Sequence, residues 1–227
     1  TKALLSLIIN DKKRLKRLPT VESFDKNLKE EIETKAERKN RLKNIYSGKP
    51  ILEIKNVSKF YNTSKNLFRN NKGFKALSKI SLKLFKGETL GLIGESGSGK
   101  TTLSNAILKI HEFEEGEILF RGKDISKIKE KELLKFRKNV QIIFQDPYAS
   151  LNPLQNIYQI ISEPIKFHRI CLKDEVYEKC KELINDVGLN ETFLSRYPHE
   201  LSGGQRQRVC IARAISVNPQ VLICDES

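Results

Sequence analysis

The chain has 227 residues, enough for one full domain or one domain with a piece of another. A hydrophobic share of 38% supports a packed core, while a charged share of 31% and a net charge of +14 point to an anionic partner (nucleotide, nucleic acid or acidic lipid) or to a solvated lysine-rich surface. No apolar run is long enough to span a bilayer, the opening TKALLSLIIN lacks the layout of a signal peptide, and Cys171, Cys180, Cys210 and Cys224 form no CxxC pair of the kind that holds zinc. A cytoplasmic chain with reduced, mostly buried thiols is expected. There is no methionine and the sequence stops at CDES, so a fragment of a longer protein is expected as well.

Residues 11–47 are densely charged and poor in aromatics, which predicts a linker with some helix, closed by Gly48 and Pro50. From Ile51 the texture changes. ILEIKNV is strand-like, and KISLKLF alternates Ile80, Leu82 and Leu84 with Ser81 and Lys83, as a half-buried strand does. TLGLIG, residues 89–94, is a short and nearly continuous apolar run, the pattern of a buried parallel strand. TTLSNAILKI reads as a helix, and EILFR and VQIIF as further strands. Residues 154–200 turn helical. DEVYEKCKELINDVG places Val176, Cys180, Leu183, Ile184 and Val187 on one face and ends at Gly188. QRQRVCIARAISVN is another helix, stopped before Pro219, and VLICDE a last buried strand. Strand–helix alternation broken by a helical block predicts an α/β core with a helical insertion.

Two stretches in this frame carry chemistry. GESGSGKT, Gly94, Glu95, Ser96, Gly97, Ser98, Gly99, Lys100 and Thr101, fits the phosphate-loop pattern G-x-x-x-x-G-K-[ST], with a predicted strand before it and a helix after. Glycines let the backbone aim successive N–H groups inward, and the helix N-terminus adds positive dipole where phosphate oxygens would sit. Lys100 would reach the β- and γ-phosphates and Thr101 would face a magnesium ion. The alternative is a flexible Gly/Ser turn. The last strand ends in Asp225 and Glu226. A carboxylate beside a phosphate loop can support nucleotide-bound magnesium, and a second can orient and deprotonate water. Acidic strand ends are common, so the phosphate loop upstream gives this pair its meaning.

LSGGQ, residues 201–205, is a five-residue string that arises by chance in about one chain in several thousand of this length. With the phosphate loop, Gln145 after a strand, LSGGQ and VLICDE in that order, the sequence resembles the ATP-binding cassette (ABC) ATPases over residues 51–227. The resemblance implies a P-loop NTPase (RecA-like) α/β core with an antiparallel β subdomain and an inserted helical subdomain at roughly residues 148–205. It implies ATP and Mg²⁺ as ligands. Tyr61 would stack on adenine, with Phe60 as the other candidate. Residues 94–102, Thr102 included, would hold the phosphates. Thr101, Gln145 and Asp225 would serve the metal, and Glu226 with Gln145 the catalytic water. Ser202, Gly203, Gly204 and Gln205 would contact ATP bound to a second cassette, in a homo-, hetero- or fused dimer. Ser202 would also be a plain N-cap, which explains the serine but neither glycine.

FQDPYASLNP, ISEPI and RYPHELSGGQRQR resemble the ATPase subunits of oligopeptide and dipeptide importers. That likeness implies two transmembrane permease subunits, a solute-binding protein acting indirectly, a location on the cytoplasmic face of the membrane, and no nucleic acid. Residues 1–47 read either as the C-terminal tail of a preceding cassette in a fused pair or as an N-terminal extension. Ser227 stands where the family more often has proline. The switch histidine and aspartate loop would follow the last residue; His111, His168 and His199 precede the acidic strand and read as ordinary histidines. The fragment made alone is expected to hydrolyse ATP poorly. The rival readings are a soluble ABC ATPase acting on nucleic acid or the ribosome, and a non-catalytic regulatory cassette.

Overall fold

The computed structural model describes residues 16, 31–61 and 74–225. These fall into two units, one holding residues up to Ile51 with Leu84–Thr89, the other Leu52–Lys83 with the chain from Leu90 on. In the first unit the charged segment forms helix α1, Lys35–Tyr46. Thr34 caps it: its side chain accepts from the Glu37 N–H, and the Glu37 carboxylate returns a bond to the Thr34 N–H, a capping box. No residue of α1 is buried, as expected of a helix without an apolar stripe. Tyr46 donates to Glu88 at 2.9 Å and meets Phe85 edge-on.

The second unit opens with an antiparallel sheet. Strands β1 (Leu52–Tyr61), β2 (Phe74–Leu84), β3 (Glu115–Phe120) and β4 (Lys123–Asp124) lie in the order β2-β1-β3-β4. Leu52, Ile54, Val57 and Ile118 form its buried face. Helix α2, Lys100–Ile107, follows the phosphate loop, and α3, Glu130–Asn139, leads into β5, Val140–Ile143. β5 pairs in parallel with β6, Val221–Cys224, in the register Val140↔Val221 to Ile143↔Cys224.

Between β5 and β6 lies the helical block. It consists of α4 (Ile157–Phe167), α5 (Val176–Asp186), 3-10 turns at Glu191–Ser195 and Pro198–Glu200, and α6 (Gly203–Ile215). Its core follows helical periodicity: Ile157, Ile160, Ile161 and Ile165 from α4, Val176, Cys180, Leu183 and Ile184 from α5, and Val209, Cys210 and Ala212 from α6. Val187, counted on the same face of α5 from sequence, is its half-buried C-cap, and Gly188 ends the helix at φ 72°.

Three expectations need correcting. Residues 89–94 form no strand. Leu90 and Leu92 are 41% and 49% exposed and Ile93 is fully so, because no ladder among the described residues includes this segment. The strand β6 is buried on one face only: Val221 is covered, whereas Leu222 and Cys224 are exposed. The thiols divide evenly. Cys180 and Cys210 are buried, Cys171 is half-buried and Cys224 exposed. Burial pushes the Cys180 thiol up to about 12 and raises that of Cys210, so neither supplies thiolate near neutrality. Native-state alkylation followed by peptide mapping is expected to label Cys171 well before Cys180 and Cys210. Equal rates would contradict this packing.

Candidate functional site

The phosphate loop is shaped by one glycine above all. Gly99 caps α2 in the left-handed region at φ 93°, and a Cβ there would lie 2.4 Å from the Ala76 carbonyl oxygen, so only glycine fits. No side chain caps α2, leaving its first N–H groups to an anion or to water. The Lys100 ammonium folds over the loop and donates to the carbonyls of Gly94 at 2.8 Å and Glu95 at 2.9 Å. Residues 91–98 are exposed.

Two distant parts of the sequence meet beside this loop. The Thr101 hydroxyl donates to Asp225 Oδ2 at 2.9 Å, across 124 positions. Asp225 is 8% exposed, and its N–H donates to the Ile143 carbonyl at 3.0 Å, extending the β5–β6 ladder by one bond. That register brings the end of β5 level with Asp225, and Gln145 follows Ile143 by two residues in the exposed loop beyond. Thr101, Gln145 and Asp225 thus share the C-terminal edge of the parallel pair, with the hard oxygen donors that suit magnesium. Glu226 lies outside the described residues.

Tyr61, the last residue of β1, is 38% exposed, with Lys59 Nζ 5.5 Å from its ring centroid and His111 edge-on at 6.3 Å. Glu114 fixes this strand end by accepting from Lys59 Nζ at 2.8 Å and from the Phe60 N–H at 2.9 Å. Burial alone would raise the Glu114 carboxyl, but these two bonds outweigh it and hold the group below its usual value. Phe60 is half-buried beneath Lys75 Nζ, 5.4 Å from its ring. Sequence reasoning missed Glu114, which carries no local signal because its partner is some fifty residues away; His111, read as an ordinary histidine, packs edge-on to Tyr61.

Ser202 is the N-cap of α6 in a capping box: its N–H donates to Gln205 Oε1 at 2.9 Å and its hydroxyl accepts from the Gln205 N–H at 3.4 Å. The Gln205 side chain is therefore engaged within its own turn. Gly203 and Gly204 are exposed, and a Cβ added to either would meet no atom within 4 Å. Their backbone conformation lies outside the left-handed region. Neither steric nor conformational demand from this chain calls for glycine here. Ser202, Gly204 and Gln205 line a cavity of about 370 Å³ with Gly188, Leu189, Asn190, Phe193 and Arg208; none of residues 94–102 lines it. Arg208 donates to the Gly188 carbonyl at 3.1 Å.

Comparison with known proteins decides the family. The model of the ABC transporter family matches residues 77–227. The chain belongs to the ABC transporter family. It is 48% identical over 178 residues to the oligopeptide transport ATP-binding protein AppF of Bacillus subtilis (strain 168), covering 78% of this chain and 54% of that one. It is 44% identical over 186 residues to the glutathione import ATP-binding protein GsiA of Escherichia coli (strain K12), covering 82% and 30%. It thus spans about half the length of the first relative and under a third of the second. Among solved structures it resembles the dimeric ATP-binding cassette MJ0796 in a post-hydrolysis state bound to ADP and Pi, with a TM-score of 0.67 and 30% identity over 76% of this chain and 72% of that one. The expected ABC ATPase fold, a P-loop NTPase core with antiparallel and helical subdomains, is the fold observed.

Among the described residues no helix is long and apolar enough to cross a membrane.

Proposed function

We propose that this ABC chain is part of an ATPase that binds MgATP between its own phosphate loop and the LSGGQ turn of a second cassette, hydrolyses it, and energises import of oligopeptides or dipeptides. The observation that carries the reading is the pair Gly203 and Gly204, exposed at the start of a helix with no described atom within 4 Å of an added Cβ. Two glycines in a first turn cost helix stability, and a close-approaching anion from another molecule accounts for them.

In this reading Tyr61 stacks on adenine, and the N–H groups of residues 94–102 with Lys100 hold the phosphates. Thr101, Gln145 and Asp225 would hold a magnesium ion, which would supply charge neutralisation at the phosphates. Glu226 takes a proton from water as that water attacks the γ-phosphorus, giving ADP and inorganic phosphate. Ser202, Gly203 and Gly204, with Gln205 bracing their turn, stabilise the partner's γ-phosphate at the α6 N-terminus. The second cassette is identical, different or fused. Residues 51–227 are the cassette, and residues 1–47 a charged linker or the tail of a preceding cassette. The loop at Gln145 passes closure to two permease subunits at the cytoplasmic face of the membrane, fed by a solute-binding protein.

The names of the relatives above support import, and the nucleic-acid alternative gains nothing from them. The test is to purify the full-length protein from membranes under mild detergent. It is expected to bring integral membrane subunits with it and to hydrolyse MgATP faster when peptide-loaded binding protein is added. Salt-sensitive binding to DNA or RNA, with no membrane subunit attached, would replace this reading with its rival.

A further inference from the structure

Tyr148 is 65% exposed, yet the face of its ring is covered: the Arg206 guanidinium sits 4.8 Å from the ring centroid. Arg206 does more than cover a ring. Its Nε donates to the Pro198 carbonyl at 2.7 Å and its backbone N–H to the Ser202 carbonyl at 2.9 Å, so one residue brackets the LSGGQ turn on both sides. The same Pro198 carbonyl accepts from the Leu201 N–H at 3.2 Å. Tyr148 is equally well held. Asp146 Oδ1 accepts from the Tyr148 N–H at 2.8 Å, and the Ser150 hydroxyl donates to the Asp146 carbonyl at 2.6 Å, closing a tight turn directly after Gln145. One helical stretch further on, Arg213 Nη1 donates to the Ser150 carbonyl at 2.6 Å. Two arginines of α6 therefore grip a turn 58 to 63 residues earlier in sequence.

We propose that Arg206 and Tyr148 are positioning residues: through their stacked contact, the turn after Gln145 sets the placement of Ser202 and Gly204 toward the ATP of the partner cassette. The inference rests on the ATPase reading given above. Tyr148 is exposed and the helical core is built from other side chains, so the stacked contact is not part of that core. Loss of the contact acts after nucleotide has bound to its own phosphate loop. It lowers kcat and formation of the closed dimer, and leaves KM for ATP alone.

The test uses the full-length ATPase with its membrane partners and four variants. Tyr148→Phe keeps the ring face and is expected to behave as the unsubstituted protein. Tyr148→Leu removes it and is expected to lower kcat about two- to fivefold, the range of a cation–π contact at an exposed site. Arg206→Ala also loses the bond to Pro198 and is expected to lower kcat roughly tenfold, with unchanged KM and a Tm lowered by only a few degrees, too little to unfold the protein at the assay temperature. The double variant Arg206→Ala/Tyr148→Leu is expected to be no worse than Arg206→Ala, since both remove one contact. Equal losses in Tyr148→Phe and Tyr148→Leu, full activity in Tyr148→Leu, additive losses, or a kcat loss explained by unfolding at the assay temperature would each overturn the proposal. If the unsubstituted protein does not turn over MgATP, the functional reading falls and this inference with it. If turnover is normal and the variants are flat, only the inference falls.

Discussion

Lys100→Ala and Glu226→Gln are expected to abolish turnover in opposite ways, the first by losing the nucleotide and the second by keeping it. Lys100 places its ammonium over the loop by donating to the Gly94 and Glu95 carbonyls. Removing it frees two carbonyls on an exposed loop, where water replaces the lost bonds, so stability should barely change. What disappears is a cation beside phosphate charge, and loss of one preorganised donor of that kind lowers turnover by about 10² to 10³. MgATP affinity falls with it. Glu226→Gln leaves Lys100, Thr101 and Asp225 in place, so MgATP binds as before, but the amide cannot accept a proton from water. Turnover drops by about 10² to 10⁴, the usual contribution of a general base. The bound ATP persists and the closed dimer accumulates, visible by size-exclusion chromatography in MgATP. Normal MgATP affinity in Lys100→Ala, or unimpaired hydrolysis in Glu226→Gln, would remove the corresponding role.

The proposed roles could be assigned from sequence because each rests on a short contiguous string. Lys100 and Gly99 sit within one loop, and Ser202 with Gln205 within one helical turn, so spacing alone places them. The separate strands and the helical block were legible for the related reason that periods of two and of 3.6 show in the residues themselves, whereas the antiparallel pairing of those strands came only from the family resemblance. What was not legible is pairing over distance. Thr101 and Asp225 could be brought together only by motif chemistry and resemblance, not by spacing, and Glu114 with Lys59, or Arg206 with Tyr148, by neither. The failure at residues 89–94 has the same root. A continuous apolar run says that a segment suits burial on both faces, but not which strands flank it. Here β5 and β6 pair with each other, and Leu92 and Ile93 stay exposed. Leu222 and Cys224 were overcalled likewise, for β6 alternates covered and uncovered residues.

Gly204→Asp is expected to separate stability from activity, since the two effects have opposite signs. The position is the second residue of α6, exposed, with open space around an added Cβ. Replacing glycine in a helix, and placing a carboxylate near a helix N-terminus, each favour folding, together by about 1 kcal/mol or somewhat more. Tm should hold or rise. The same carboxylate stands where the proposed partner phosphate would come, and like charges in a closed site oppose binding, so turnover should fall about a hundredfold or more. The proposed dimer adds a sharper consequence. A Gly204→Asp cassette keeps a sound phosphate loop and a spoiled LSGGQ turn; a Lys100→Ala cassette has the reverse. Each homogeneous pair has two defective composite sites. A mixed pair has one site with both defects and one with none, so mixing two inactive proteins should restore turnover to a fraction of normal. Recovery on mixing would identify a site shared between cassettes, since two unshared defects cannot complement each other. If mixing restores nothing while each variant folds and Gly204→Asp still binds MgATP, then either Gly203 and Gly204 do not serve the partner's nucleotide or one composite site cannot work alone. A fused pair carrying both substitutions in one half supplies the converse test: its other half keeps a sound phosphate loop and a sound LSGGQ turn, so turnover by that pair means that the sites are not shared.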